Sequence, residues 1–482
     1  MNTTPIKAVI WLMAALLVPG SAAAQTADHE AILGEVQEAW TGDLDGMVER
    51  GFIRILTTYN PLLFTTDGIE QHGIAADIGR IFEEWMKKHH GKKRPLTVVL
   101  IPVPRDRLLD DLVAGRGDIV VANLTITPER RKLVDFSRPT YSGVSELVIT
   151  GPGAPDINSF DDLTALEVHV RRSSSYYEHL SALNERRRGE GKPEIPIQEA
   201  DERLEDHDLL DMVNAGVIPA VIVDSHKAEF WRQVFDKIEV HEDLAVSSGD
   251  DIAWAMRKNS PKLLAAVNDF VKTHAKGTLT GNILIKRYLK STDWMDNSLS
   301  EEARKRYEAT IEFIRRYADK YDFDWLMIAA QGYQESKLDQ SKRSQVGAIG
   351  IMQVMPATAA DRNVDIDNID DAEHNVHAGV KYLRFLREQY FSDKEIDPLD
   401  RVLFSFAAYN AGPGNIAKAR RKAASMGLDP NQWFNHVEVA ASRMISREPV
   451  VYVRNIYKYY IAYKLLVAKI EEKARLKKQP AS

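Results

Sequence analysis

"WLMIAAQGYQES", residues 325–336, runs through apolar and small residues and ends on a carboxylate. As a helix it places Ile328, Gly332 and Glu335 on one face, at i, i+4 and i+7. Glu335 then sits against an apolar wall. Desolvation there disfavours the charged form and raises the pKa. A carboxyl group still protonated near neutrality can hand a proton to a leaving oxygen. The residues alone leave a plainer alternative open: a Glu that simply exits the core where a helix ends.

Working outward, the chain around this run reads as helical. "SLSEEARKRYEATIEFIRRYADKY" carries apolar residues at helical spacing behind Ser298 or Ser300 as N-cap. "DAEHNVHAGVKYLRFLREQYF", "DPLDRVLFSFAAYNAG" and "VVYVRNIYKYYIAYKLLVAKIEEKARLKK" follow as further helices. Upstream the character differs. "IRIL", "LTVVLIPV", "GDIVVANLT", "SELVIT", "LEVHVR" and "PAVIVDS" are short β-branched runs, separated by amphipathic stretches such as "IAADIGRIFEEWMKKHH". This alternation predicts α/β layers with largely parallel pairing, and a boundary near 290–300. "NERRRGEGKPEIP", 184–196, reads as a solvated loop.

A chain of 482 residues exceeds a single core. Its net charge of −7 shows no basic stripe, which argues against nucleic acid. The start, "MNTTPIKAVIWLMAALLVPGSAAAQ", reads as a secretory signal cut after Ala24. The chain has no cysteine, hence no disulfide, no thiol metal site and no lipid-anchor cysteine. The pairs His89/His90 and His374/His377 lack a completed ligand set, so no metal or other cofactor is expected.

Two further motifs frame Glu335. "GAIGIMQVMPATA", 347–359, has three small residues suited to close backbone approach, an isolated amide in Gln353, and soft packing from Met352 and Met355. "AAYNAGPG", 407–414, presents Tyr409 and Asn410 at a helix end, with Gly412 as a C′ residue. Together with "QESKLDQSKRSQV" these stretches resemble the soluble lytic transglycosylase (SLT) family, over about 300–470. The resemblance implies a mainly helical, lysozyme-like fold that cleaves peptidoglycan glycan strands, with Glu335 as catalytic acid/base. Ser344, Met352, Gln353, Tyr409, Asn410, Glu448 and Tyr452 are the implied substrate-binding residues, Tyr409 also holding Glu335 by a hydrogen bond. Pro449 stands where the family's "E-T-x-x-Y-V" element has Thr. No motif supplies a second acid; Asp339 and Asp361 read as surface or cap residues. Lysozyme-type hydrolysis is the near alternative.

"LDDLVAGRGDIVVANLTITPERRKLVDFSRPTY", 109–141, resembles the family 3 periplasmic solute-binding proteins, over about 50–290. The resemblance implies an amino-acid-type ligand. Its carboxylate would meet Arg130, helped by Thr125, in the bidentate geometry a guanidinium favours. Ser173 and Ser174 would approach from the second lobe, Asp224 would take the amino group, and Tyr59 would cover the side chain.

The expectation is an α/β two-lobed periplasmic-binding-protein fold followed by a mainly α lysozyme-like domain. The divisions are a signal peptide 1–24, a helical lead-in 25–49, the binding-type domain 50–290, the catalytic domain 300–470 and a charged tail 471–482. Lobe one takes 50–145 and 243–290, and lobe two 146–242. Peptidoglycan is the expected partner, a muropeptide or amino acid the candidate effector, and the periplasm, peripheral on the outer membrane, the expected location. A non-cleaving receptor is the alternative from another class; it fits less well because the acid of "QES" is present.

Overall fold

The computed structural model describes residues 38–60, 62–67, 70–90, 96–289 and 301–478. The signal segment, most of the lead-in and the Ser298/Ser300 cap lie outside these residues.

The described chain begins with helix α1 (Leu44–Arg50). The strands are β1 (Phe52–Thr57), β2 (Thr65–Asp67), β3 (Glu70–His72), β4 (Thr97–Pro102), β5 (Ile119–Thr125), β6 (Val134–Phe136), β7 (Tyr141–Thr150), β8 (Val168–Val170), β9 (Ile197–Glu199), β10 (Ala220–Asp224) and β11 (Glu239–Arg257). Helices α2 (Ile74–His90), α3 (Ser175–Gly189), α4 (Ser225–Trp231) and α5 (Pro261–His274) cover the sheet.

Sheet order is β4-β1-β5-β11-β7-β10-β8-β9, with β6 on β11. The outer pairs are parallel: β1 with β4 and β5, β8 with β9 and β10. The middle is antiparallel, because β7 and β11 run in opposite directions between the two halves. One end of β11 pairs with β5 at Ile252–Met256, and the other pairs with β7 at Glu239–His241. The sheet is therefore mixed rather than largely parallel. Two strands that cross between lobes must return, and a return without a helix is antiparallel. The loop read at 184–196 is also half helix. Residues through Gly189 continue α3, and Arg187 is buried, bonded to the Pro193 carbonyl and Asp161.

After residue 300 the fold is helical: α6 (Glu301–Lys320), α7 (Trp325–Ser336), α8 (Ala372–Tyr390), α9 (Pro398–Ala411), α10 (Pro413–Ser425), α11 (Glu438–Met444) and α12 (Glu448–Lys478). Helix α12 packs along α7 and α9. It also reaches the sheet domain. Tyr457 donates to Asp201 (2.9 Å), Lys458 to Asp211 (2.8 Å), and Ala462 joins the apolar core around α3 and β10. Among the described residues no helix is long and apolar enough to cross a membrane.

Candidate active site and ligand cleft

Helix α7 starts at Asp324, whose side chain accepts from the Leu326 amide. Leu326 to Tyr333 are all buried. The helix ends because Lys337 and Leu338 take left-handed backbone (φ 61° and 60°). Ser336 secures that end: its hydroxyl donates to the Ile351 carbonyl (2.9 Å) and accepts from the Asp339 amide (2.9 Å). The 347–359 loop is thus tied directly beneath Glu335. A side chain at Gly332 would come within 2.9 Å of Leu338, so the loop packs on bare backbone. Gly350 works similarly, but its close neighbour is the Gln340 side chain rather than a groove.

Glu335 is half-buried, and its Oε1 accepts a 2.5 Å hydrogen bond from the Tyr452 hydroxyl. Burial pushes its carboxyl pKa up to about 7, against the opposing pull of that hydrogen bond and of Lys342. No carboxylate figures among these causes. Asp339 and Asp361 instead accept from their neighbours Ser341 and Asn363.

Tyr452 was expected at the substrate, and the bond to Glu335 was expected from Tyr409. The structure gives that bond to Tyr452. The Tyr409 hydroxyl donates to the Met352 carbonyl (2.7 Å), because the loop backbone lies within its reach at the end of α9. Met352 is buried and held through its amide by Asn375 (2.8 Å). Gln353 adopts a left-handed φ of 46°, and its amide donates to the Gly350 carbonyl (2.8 Å). Ser344 accepts from the Ala348 amide (2.8 Å), closing the turn before the loop. Asn410 and Glu448 are exposed and 3.5 Å apart, at the end of α9 and the start of α12.

Two polar residues escaped sequence reasoning. Fully buried Gln331 donates to the Tyr452 hydroxyl (3.1 Å), which orients that hydroxyl toward Glu335. Fully buried Asn375 braces the loop at Met352, Ile349 and Ile369. Their signal was an amide inside an apolar helix face, since a buried amide must be satisfied.

In the sheet domain, buried Arg130 lies in the short helix Pro128–Leu133 after β5. Its Nε donates to Glu178 (2.8 Å), Nη1 to the Thr125 carbonyl (3.1 Å) and Nη2 to the Ser173 carbonyl (3.1 Å). Ser173 donates through its hydroxyl to Glu202 (2.6 Å), and Ser174 caps α3. Asp224 accepts from Asn123 (2.9 Å) and pairs with Lys227 (2.7 Å). Asp206 pairs with Arg171 (2.5 Å) and Lys227 (2.7 Å). Burial pushes these acids up, but Lys227 and Arg171 together hold Asp206 well below the usual carboxylate range, and Lys227 holds Asp224 below it. Arg130 and Asp224 do share one cleft, with Thr125, Ser173 and Ser174 on its walls. Tyr59 does not. It lines a crevice with Phe434 and Arg454, whose guanidinium lies 5.5 Å from its ring centre. Among the described residues, Glu146, His179 and Asp250 place ligand-type atoms within 4.8 Å of one another. His179 is already bonded to Glu146 (2.8 Å), so an internal ion pair accounts for the group.

Comparison with known proteins agrees with this division. Residues 312–430 match the transglycosylase SLT domain, and residues 53–290 match the bacterial extracellular solute-binding proteins, family 3. The chain is therefore a lytic transglycosylase fused to a solute-binding-type module. Membrane-bound lytic murein transglycosylase F of Desulfosudis oleivorans is 33% identical over 340 residues, 69% of this chain and 71% of that protein. The protein of that name in Pseudomonas fluorescens strain Pf0-1 is 28% identical over 444 residues, 86% of this chain and 85% of that protein. The chain belongs to the membrane-bound lytic murein transglycosylase F family. Among solved structures, the ancestral amino acid-binding protein AncCDT-1 is 26% identical, covering 51% of this chain and 99% of its own, with a TM-score of 0.40.

Proposed function

We propose that this chain cleaves the β-1,4 bond between N-acetylmuramoyl and N-acetylglucosaminyl residues of peptidoglycan without water, with Glu335 as the single acid/base. The observation that carries the reading is a half-buried carboxyl held at 2.5 Å by a neutral phenol, its pKa near 7. Such a group is protonated often enough at neutral pH to donate to the glycosidic oxygen. The substrate's own 2-acetamido oxygen steadies the anomeric cation. Glu335, now a carboxylate, takes the proton of the same sugar's C6 hydroxyl, whose oxygen closes on C1. The product end is a 1,6-anhydro sugar. Tyr452 steadies Glu335 in both states. Ser344, Gln353 and Asn410 are read as gripping acetamido and sugar oxygens, with Met352 and Tyr409 shaping the loop they stand on.

Mass spectrometry of products from purified peptidoglycan tests this. Anhydro ends, lighter by one water than reducing ends and lost in Glu335→Gln, are expected. Reducing ends would establish the lysozyme-type hydrolase instead. The expected site of action is the periplasm, at the outer membrane, after removal of residues 1–24.

The sheet domain is read as a sensor of a wall-derived effector, a muropeptide or amino acid being the reading its family favours. Helix α12 supports a coupling role, carrying Tyr452 toward Glu335 and Tyr457 and Lys458 toward Asp201 and Asp211. Coupling requires a free energy shared between two sites. Turnover of peptidoglycan with and without added muropeptides measures it; equal rates despite binding would remove the idea.

A further inference from the structure

Gln331 lies one helical turn before Glu335 on α7, so the two side chains leave the same face of the helix. It is fully buried and cannot touch a glycan. Its amide nitrogen donates to the Tyr452 hydroxyl (3.1 Å), and that hydroxyl donates to Glu335 Oε1 (2.5 Å). The amide oxygen of Gln331 is buried with no hydrogen-bond partner among the described residues. An unsatisfied buried acceptor disfavours folding. A leucine or methionine would fill the same space on this apolar wall without that penalty. Stability therefore does not account for an amide here.

The chain of hydrogen bonds has one direction. Tyr452 has a single proton and two polar neighbours. Burial and the nearby Glu335 push the phenol pKa well above its usual value, so the proton stays on. A carboxylate is the stronger acceptor, and at 2.5 Å it takes the phenol's hydrogen bond. Gln331 is left to donate. In this orientation the amide also bars the reverse arrangement. If Glu335 gave its own proton to Tyr452, the phenol hydrogen would have to turn toward Gln331, and two donors would face each other. Oε1 of Glu335 is thereby kept an acceptor in both protonation states.

We infer that Gln331 is a positioning residue for cleavage: acting through Tyr452, it confines the transferable proton to Oε2 of Glu335. That oxygen gives the proton to the glycosidic oxygen as its bond to C1 breaks. It then takes the proton of the C6 hydroxyl, whose oxygen bonds to C1, and Glu335 is again protonated. The inference rests on Glu335 as the acid/base, and adds which of its oxygens works and what holds it to that task. Without the amide, the Glu335 proton can turn onto Tyr452, away from the sugar.

Steady-state cleavage of soluble glycan strands by the full chain, followed against pH, tests this with Gln331→Met, which keeps the length and removes the donor. The kcat is expected to fall about tenfold with KM unchanged, the scale of one buried hydrogen bond. The alkaline limb of the kcat profile should move up by about half a pH unit, because Tyr452 becomes a poorer donor to the carboxylate. Loss of folded protein would move neither KM nor the limb, so a merely structural effect gives a different pattern. In a Tyr452→Phe background, Gln331→Met should change neither kcat nor the limb, since its route to Glu335 is gone. Gln331→Leu is expected to repeat these results, and carries the measurement should methionine fail to pack. Unchanged kcat and limb, a rise in KM alone, or full additivity with Tyr452→Phe overturns the inference and leaves Glu335 as the acid/base. Undiminished cleavage by Glu335→Gln would instead overturn the reading beneath it.

Discussion

Glu335 and Asp206 are both carboxylates withdrawn from water, and their pKa values move in opposite directions. Glu335 meets an apolar helix wall and one neutral phenol, so desolvation prevails and the proton stays on to about pH 7. Asp206 meets Arg171 and Lys227, so ion pairing prevails and the proton leaves. Burial alone fixes neither. The charge of the nearest partner decides whether a buried acid becomes a proton donor or a rivet.

The sharpest way to break the comparison is at the donor. Glu335→Gln keeps shape and removes the proton, so cleavage should fall by about 10²–10⁴-fold. Stability should hold or rise, since no charge is left to desolvate. Zymography and thermal unfolding on the same preparation check both halves.

The rivet should behave in the reverse way. Lys227→Met leaves Asp206 and Asp224 buried with one cation fewer. Breaking a buried pair on one side costs about 3–5 kcal/mol, a fall in Tm on the order of 10 °C. Calorimetric melting of the full chain reads it. A silent substitution would mean the cleft is wetter than its geometry implies.

pH distinguishes the regions by sign. Glu335 binds its proton more tightly folded than unfolded, so its contribution to stability is complete below pH 4.5 and lost as pH rises through about 7. The shift corresponds to roughly 3 kcal/mol. Asp206 contributes in the other direction: its stabilisation is present above the ordinary carboxylate value and lost as pH falls. On the proposed role of Glu335, activity should follow its proton and decline above about pH 7. Tyr452→Phe removes a hydrogen bond that favours the carboxylate, so that decline should move up by about one pH unit. A pH–rate profile that does not move would place the controlling group elsewhere.

Much of this was readable in the sequence. Helix α7 and its acid followed from apolar spacing, and six sheet strands from β-branched runs. Strand β11 did not, because "EVHEDLAVSSGDD" is half exposed as it crosses the hinge and lacks an apolar alternation. The resemblance implies Tyr409 as the bond partner of Glu335, and only packing tells that the Tyr452 hydroxyl takes that place. The pairings of Glu178 and Lys227 were not legible: each looks like an ordinary helix-surface charge until Glu178 meets Arg130 and Lys227 meets Asp206 and Asp224.

The smallest expected effect tests the single-acid account most directly. Glu448 is exposed and touches Asn410 only at 3.5 Å. Glu448→Gln should therefore leave stability within about 0.5 kcal/mol and cleavage within about threefold, the scale of one weak polar contact. A hydrolase needs a second carboxylate to activate water or to form a covalent intermediate, and Glu448 is the acid in the stretch that resembles the family's "E-T-x-x-Y-V" element. If Glu448→Gln abolished turnover as Glu335→Gln does, two acids would be at work and the products would carry reducing ends. Near-normal turnover with anhydro ends leaves the proton transfers to Glu335 alone, with the ring closed by the sugar's own hydroxyl.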